Sequence, residues 1–132
     1  MTEQRSPRGE LLLRTVAMPA DTNANGDIFG GWIMSQMDLG GSILANEIAL
    51  GRVCTVAVEG MTFHRPVQVG DVVCCYGELL KVGSSSIRIK LEVWVKPVLE
   101  PENANRYCVT EALFIYVAID DNGCSRAVPR PD

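Results

Sequence analysis

Residues 23–41 read Asn23-Ala24-Asn25-Gly26-Asp27-Ile28-Phe29-Gly30-Gly31-Trp32-Ile33-Met34-Ser35-Gln36-Met37-Asp38-Leu39-Gly40-Gly41. A turn rich in glycine and asparagine runs directly into an apolar segment that carries a carboxylate. Glycine and asparagine tolerate positive φ and let a ligand approach the backbone, and the first amides of the following helix are free to donate. A pocket of that kind suits a developing oxyanion. Further along, Gly40 and Gly41 should each cost about 1 kcal/mol relative to Ala inside a helix. Something is therefore expected to approach the backbone closely beside Asp38.

Working outward, residues Gly31 to Leu50 read as one helix ended by Gly51. Trp32, Ile33, Met37, Leu44 and Ile48 supply its apolar surface. Ser35, Asp38, Ser42 and Asn46 fall at i, i+3, i+7 and i+11 and form a polar stripe. The plain structural reading of Asp38 is a solvated helix face, weighed against a carboxylate set among apolar neighbours for chemistry. Asn23 and Asn25 are ordinary turn residues on their own, and Asp27 is read as favouring the helix N-terminus.

The strands are expected at Leu11 to Met18, Val53 to Glu59, Asp71 to Lys81, Ser86 to Val98 and Tyr107 to Ile119. Breaks fall at Pro19 with Asp21–Gly26, Pro66–Gly70, Gly83–Ser86, Pro97–Asn105 and Asp120–Gly123. The clearest alternation sets Ile87, Ile89, Leu91, Val93 and Val95 against Arg88, Lys90, Glu92, Trp94 and Lys96. One long helix and a run of antiparallel strands balance only if the sheet curls around the helix. The expected class is α+β, a curved antiparallel sheet of about five or six strands wrapped around one central helix. Trp94 on the outward face is a candidate subunit contact.

The 132 residues, 47% of them hydrophobic, suit a single domain with a real core. Residues 1–10 read as a loose N-terminus and 11–132 as that domain. Net charge is −4 and the cations are scattered, which gives no stripe to follow nucleic acid. The first ten residues are polar and charged, and Leu11-Leu12-Leu13 is cut short by Arg14, so neither a signal peptide nor a lipidation motif is read there. The apolar stretch at 28–50 holds Gln36, Asp38, Asn46 and Glu47 and makes a poor membrane span. A soluble cytoplasmic protein is expected. Cys54, Cys74, Cys75, Cys108 and Cys124 show no C-x-x-C spacing and are read as small buried hydrophobes in a reducing compartment. His64 is the only histidine and is read as structural or peripheral. No multi-histidine metal site is possible, and no G-x-S-x-G elbow occurs.

The order N-A-N-G-D-I-F-G-G, then W-I-M-S-Q-M-D-L-G-G, then V-E-G-M-T-F-H-R-P-V-Q-V-G-D resembles the hotdog-fold acyl-CoA thioesterases, the YciA-type bacterial enzymes in particular. The resemblance spans roughly Leu11 to Pro129 and rests on the N-x-x-G-x-x-x-G-G pattern combined with M-D. It implies hydrolysis of an acyl-CoA to the free acid and CoA, with no metal and no cofactor beyond the CoA of the substrate. It places the catalytic carboxylate at Asp38 and the turn asparagine at Asn23, contributed by opposite subunits of a dimer. An amide at the Gly30-Gly31 helix start, Gly31 above all, would hold the oxyanion. The Lys81-Val82-Gly83-Ser84-Ser85-Ser86 connection, with Lys81, Gly83, Ser84, Ser85 and Arg88, is the candidate receiver of the CoA phosphates. The implied assembly is a homodimer built further into a tetramer or hexamer, with a trimer of dimers favoured. Two rivals stand beside this reading: a non-catalytic acyl-CoA-binding module, which needs no carboxylate at position 38, and a hotdog dehydratase. The dehydratase would require a histidine that the Asn23–Gly31 turn lacks.

Overall fold

The computed structural model describes residues 5–97 and 105–130. The expected loose N-terminus at 1–4, the expected strand end at Val98 and the last two residues of the expected domain lie outside the described residues, as do residues 98–104 of the Pro97–Asn105 break. The elements are β1 (Glu10–Val16), α1 (Gly30–Ala49), β2 (Val53–Phe63), β3 (Val72–Val82), β4 (Ser86–Lys96) and β5 (Tyr107–Ala118), with a short 3-10 turn at Pro19–Asp21. The strands form one antiparallel sheet in the order β1-β3-β4-β5-β2. Among the described residues the sheet therefore has five strands, and its edges are β1 and β2.

Helix and sheet meet through the residues whose period anticipates it. Ile87, Ile89, Leu91, Val93 and Val95 are fully buried against Ile33, Met37, Leu44 and Ala45 of α1. Trp32 and Ile48 only flank this core. The strand β2 runs past the expected stop at Glu59, because Gly60 takes a positive φ of 69° and the register with β5 shifts between Glu59 and Thr62. A bulge at a glycine bends the strand without ending it.

At the other end of α1 the left-handed cap falls on Leu50 (φ 53°, ψ 42°) instead of Gly51. Gly51 serves a neighbour: a Cβ there would come within 2.7 Å of the Arg126 guanidinium, whose Nη2 donates to the Ala49 carbonyl at 2.9 Å. A cation thus closes the helix C-terminus.

The outer face of the sheet differs from expectation. Trp94 is only 4% exposed and the Glu92 side chain is fully buried. Residues 5–8 lie over them. The Arg5 guanidinium sits 5.2 Å from the Trp94 ring centroid and donates to Glu92 Oε1 at 3.0 Å, and the Arg8 amide adds a bond at 3.2 Å. Trp94 is thus covered within its own subunit and offers no free contact surface. Adjacent Cys74 and Cys75 point to opposite faces of β3, Cys75 into the main core and Cys74 beside Trp94. Cys54 and Cys124 are exposed, which corrects their reading as buried hydrophobes. Among the described residues no helix is long and apolar enough to cross a membrane.

Candidate active site

Asp38 lies on α1, two turns past its start, where the helix passes the edge strand β2. Its carboxylate is not a freely solvated surface group. The Thr55 hydroxyl donates to Oδ1 at 2.6 Å from β2, and the Tyr116 hydroxyl lies 3.1 Å from the same oxygen from β5. Oδ2 has no hydrogen-bond partner among the described residues. Burial first, then the adjacent Asp38 charge, pushes the Tyr116 phenol well above its ordinary range, so its proton stays in place as a donor. Neither Thr55 nor Tyr116 stands out in the sequence. Both sit on strands far from the turn motif, and only the Gly40-Gly41 pair hints that a group reaches the helix there.

The turn closes on itself. Asn23 N–H donates to the Asp27 carbonyl at 2.7 Å, and Gly26 N–H donates to the Asn23 carbonyl at 3.1 Å. Asn23 Oδ1 accepts from the amides of Asn25 (2.9 Å) and Asp27 (3.1 Å). These two bonds fix the orientation of the side-chain amide, because an oxygen, not an NH2 group, must face two backbone donors. Asn23 is thus both a turn residue and the owner of a free Nδ2 donor. It lines a cavity of about 380 Å³ together with Asp27, Gly30, Phe63, His64 and Arg65. The lone His64, set aside in the sequence, shares this wall, and Arg65 stacks over Tyr107 at 3.8 Å.

The N-cap of α1 is Phe29, with no side-chain bond to the first turn. Asp27 therefore does not cap the helix; it accepts a long bond from Gln68 Nε2 at 3.4 Å. Gly31 is exposed, and a Cβ added to it would meet nothing within 4 Å, so space is open above the first free amides. Asp38 is seven residues further on, about 10 Å along the helix axis. A single carbonyl carbon cannot lie beside both within one subunit.

The candidate phosphate residues gather at the β3–β4 hairpin. Lys81 pairs with Arg88 in register, and Gly83 N–H donates to the Ser86 carbonyl at 2.7 Å. Ser84 and Ser85 offer their carbonyls to Val128 and Ala118. The structure adds a cation that the sequence reading missed: Arg130 Nη2 donates to the Gly83 carbonyl at 2.8 Å. A second cavity, of about 510 Å³ on the outer face, is lined by Arg14, Lys96 and Arg106 with Val72 and Cys74. Among the described residues no group of three or more His, Cys, Asp or Glu side chains is placed to hold a metal ion.

One long helix wrapped by a single antiparallel sheet, with a glycine-rich turn at the start of the helix, defines a hotdog architecture. Residues 25–102 match the model of the thioesterase superfamily. The chain is 66% identical over 128 residues to the acyl-CoA thioester hydrolase YciA of Salmonella typhimurium, covering 97% of this chain and 96% of that one. It superposes on HI0827, a hexameric broad specificity acyl-coenzyme A thioesterase, with a TM-score of 0.91 and 68% identity, covering 97% of this chain and 86% of that one. It superposes likewise on Cj0915, a hexameric hotdog fold thioesterase of Campylobacter jejuni, with a TM-score of 0.87 and 40% identity, covering 92% and 91%. The chain belongs to the thioesterase superfamily and, within it, to the YciA-type acyl-CoA thioester hydrolases.

Proposed function

We propose that this acyl-CoA thioester hydrolase works through Asp38, with Asn23 and Gly31 of the partner subunit completing the site. The observation that carries the reading is the Asp38 carboxylate itself: Oδ1 is held by Thr55 and approached by Tyr116, and Oδ2 is left without a partner. A water deprotonated by Oδ2 attacks the thioester carbon, the carbonyl oxygen takes up negative charge, and collapse breaks the C–S bond. CoA leaves as the thiol once it takes a proton. Direct attack by Oδ2, with water then cleaving a mixed anhydride, uses the same placement. The amide of Gly31 stabilises the oxyanion with the favourable end of the helix dipole, and Asn23 Nδ2 orients the carbonyl or the water. Thr55 orients the carboxylate.

The composite site follows from the distance along α1 and from the exposed edge. Among the described residues β2 is paired on one side only; it carries exposed Val56 and Val58, and α1 carries exposed Leu39 and Ile43. Joining two such edges buries the apolar surface, satisfies the backbone and brings the Asp38 region of one subunit to the turn of the other. Three such dimers make the hexamer, the state of both structures this chain resembles. The CoA phosphates are assigned to Lys81, Gly83, Ser84, Ser85 and Arg88. Five free thiols, two of them exposed, fit a reducing cytoplasm.

A thiol-release assay over a panel of acyl-CoAs tests the reading. Release with wild type and none with Asp38→Asn is expected. Acyl-CoA binding without any thiol release would favour the non-catalytic binder instead.

A further inference from the structure

We propose that Tyr116 is a positioning residue for the reaction, and that Gly41 is a glycine so that the Tyr116 hydroxyl can reach the Asp38 carboxylate across the helix. The inference rests on the reading of Asp38 as base or nucleophile, and adds to it a group from the opposite layer of the fold.

Two independent observations meet at the same atoms. The Tyr116 hydroxyl lies 3.1 Å from Asp38 Oδ1 and 3.2 Å from the Asp38 carbonyl oxygen. Separately, a Cβ built on Gly41 would overlap that hydroxyl, and would also stand 2.8 Å from Leu91 Cδ1. Any side chain at position 41 would therefore evict the phenol from its place. The helix tolerates a poor helix former here because the ring of β5 needs the space over its backbone. Gly40 is a milder case, since its Cβ would meet Cys75 Sγ at 3.1 Å.

The environment makes the tyrosine a fixed donor. Its ring is buried and stacks at 6.3 Å on Phe114. The groups facing the Gly40–Gly41 stretch and the carboxylate from the surrounding strands are Leu12 on β1, Thr55 on β2, Cys75 on β3, Leu91 on β4 and Tyr116 on β5. None is a cation. The Cys75 thiol is pushed up to about 12 by burial and by neighbouring Cys74, so it stays neutral. Among the described residues the partners of the Asp38 carboxylate are therefore hydroxyl donors alone. A hydroxyl that donates to the carboxylate and also lies against the Asp38 carbonyl holds the side chain to its own turn.

The test is Tyr116→Phe, which keeps the ring and removes the donor, assayed for kcat and KM, with thermal melting alongside. Loss of a hydrogen bond to a charged group should lower kcat about tenfold, with KM little changed. Gly41→Ala should likewise lower kcat with KM little changed, by displacing the hydroxyl. If the phenylalanine variant does not fold, the kcat and KM of Gly41→Ala decide the matter. Wild-type kcat in Tyr116→Phe, beside an inactive Asp38→Asn, would overturn the role of Tyr116 while leaving Asp38 as the reacting group. A fully active Asp38→Asn would overturn both.

Discussion

The Thr55 hydroxyl donates to Asp38 Oδ1 at 2.6 Å, tying the middle of the helix to the exposed edge strand β2. The carboxylate proposed to react is thereby fixed to an edge strand of the sheet, so on that proposal one hydrogen bond links the chemistry to an edge open to pairing. Thr55→Val removes the bond at nearly constant volume.

Asp38→Asn is expected to fold and bind acyl-CoA but to lose about 10²–10⁴ in kcat if the group acts as a general base. An exposed helix Asp without a role would change stability by about 0.5 kcal/mol or less and leave turnover intact. Mixing Asp38→Asn with Asn23→Ala subunits should restore part of the activity, since some dimers regain one intact pair. Steady-state kinetics before and after subunit exchange measure this, and an inactive mixture after verified exchange would count against a shared site.

Dimerisation through β2 should be sensitive to charge at its exposed apolar positions. Val56, which is 54% exposed in the isolated subunit, is expected to tolerate Lys as far as folding is concerned, while Val56→Lys drives the assembly toward monomer and abolishes turnover. Light scattering coupled to activity decides it. A stable, active monomer would refute the composite site.

CoA recognition should weaken with added salt, because exposed charges interact over about 10 Å at 0.1 M ionic strength. Lys81→Ala and Arg88→Ala should raise KM severalfold with kcat little altered, the mark of phosphate contacts remote from the reacting carbon. Arg130→Ala should do less, its guanidinium being engaged with the Gly83 carbonyl. An unchanged KM in both hairpin variants, together with a raised KM in Arg14→Ala and Arg106→Ala, would move the phosphate site to the outer-face cavity.

Acid should loosen the outer face. Burial alone would raise the Glu92 carboxyl, but hydrogen bonds from Arg5, Trp94 and the Arg8 amide outweigh it and hold the group below the usual carboxylate range. Glu111 is held low as well, first by its bond to Lys90. A depressed folded pKa means that the unfolded chain takes up protons first as pH falls. The stability these groups contribute is present above the ordinary glutamate value of about 4.3 and is lost as pH drops below it toward the folded value. Melting temperature against pH should therefore fall less steeply in this window for Glu92→Gln than for wild type. Since Glu92 Oε2 has no partner among the described residues, the substitution tests the one bonded oxygen more than the pair.

Much of the architecture was legible in the chain because it depends on period. The alternation from Ile87 to Val95 is written in neighbouring letters, and so are the apolar face of α1 and the turn residues that separate the strands. Such local patterns survive whatever packs against them. The turn motif likewise announced Asn23 and the helix start, since glycine and asparagine at those positions have a backbone reason to be there. Packing decided what period could not. Trp94 reads as outward on a strand, and is outward, yet residues 5–8 cover it through Arg5. The left-handed cap falls on Leu50, and the room left at Gly51 is taken by Arg126, some 75 positions away. Above all, the Gly40-Gly41 pair showed in the sequence that something comes close to the helix, but its identity depended on which strand lies opposite. That strand is β5, and the group is Tyr116. A side chain's chemistry belongs to its residue type and can be read from a string, whereas its partners are set by the three-dimensional return of the chain, which places residues 55 and 116 within hydrogen-bond reach of the Asp38 carboxylate.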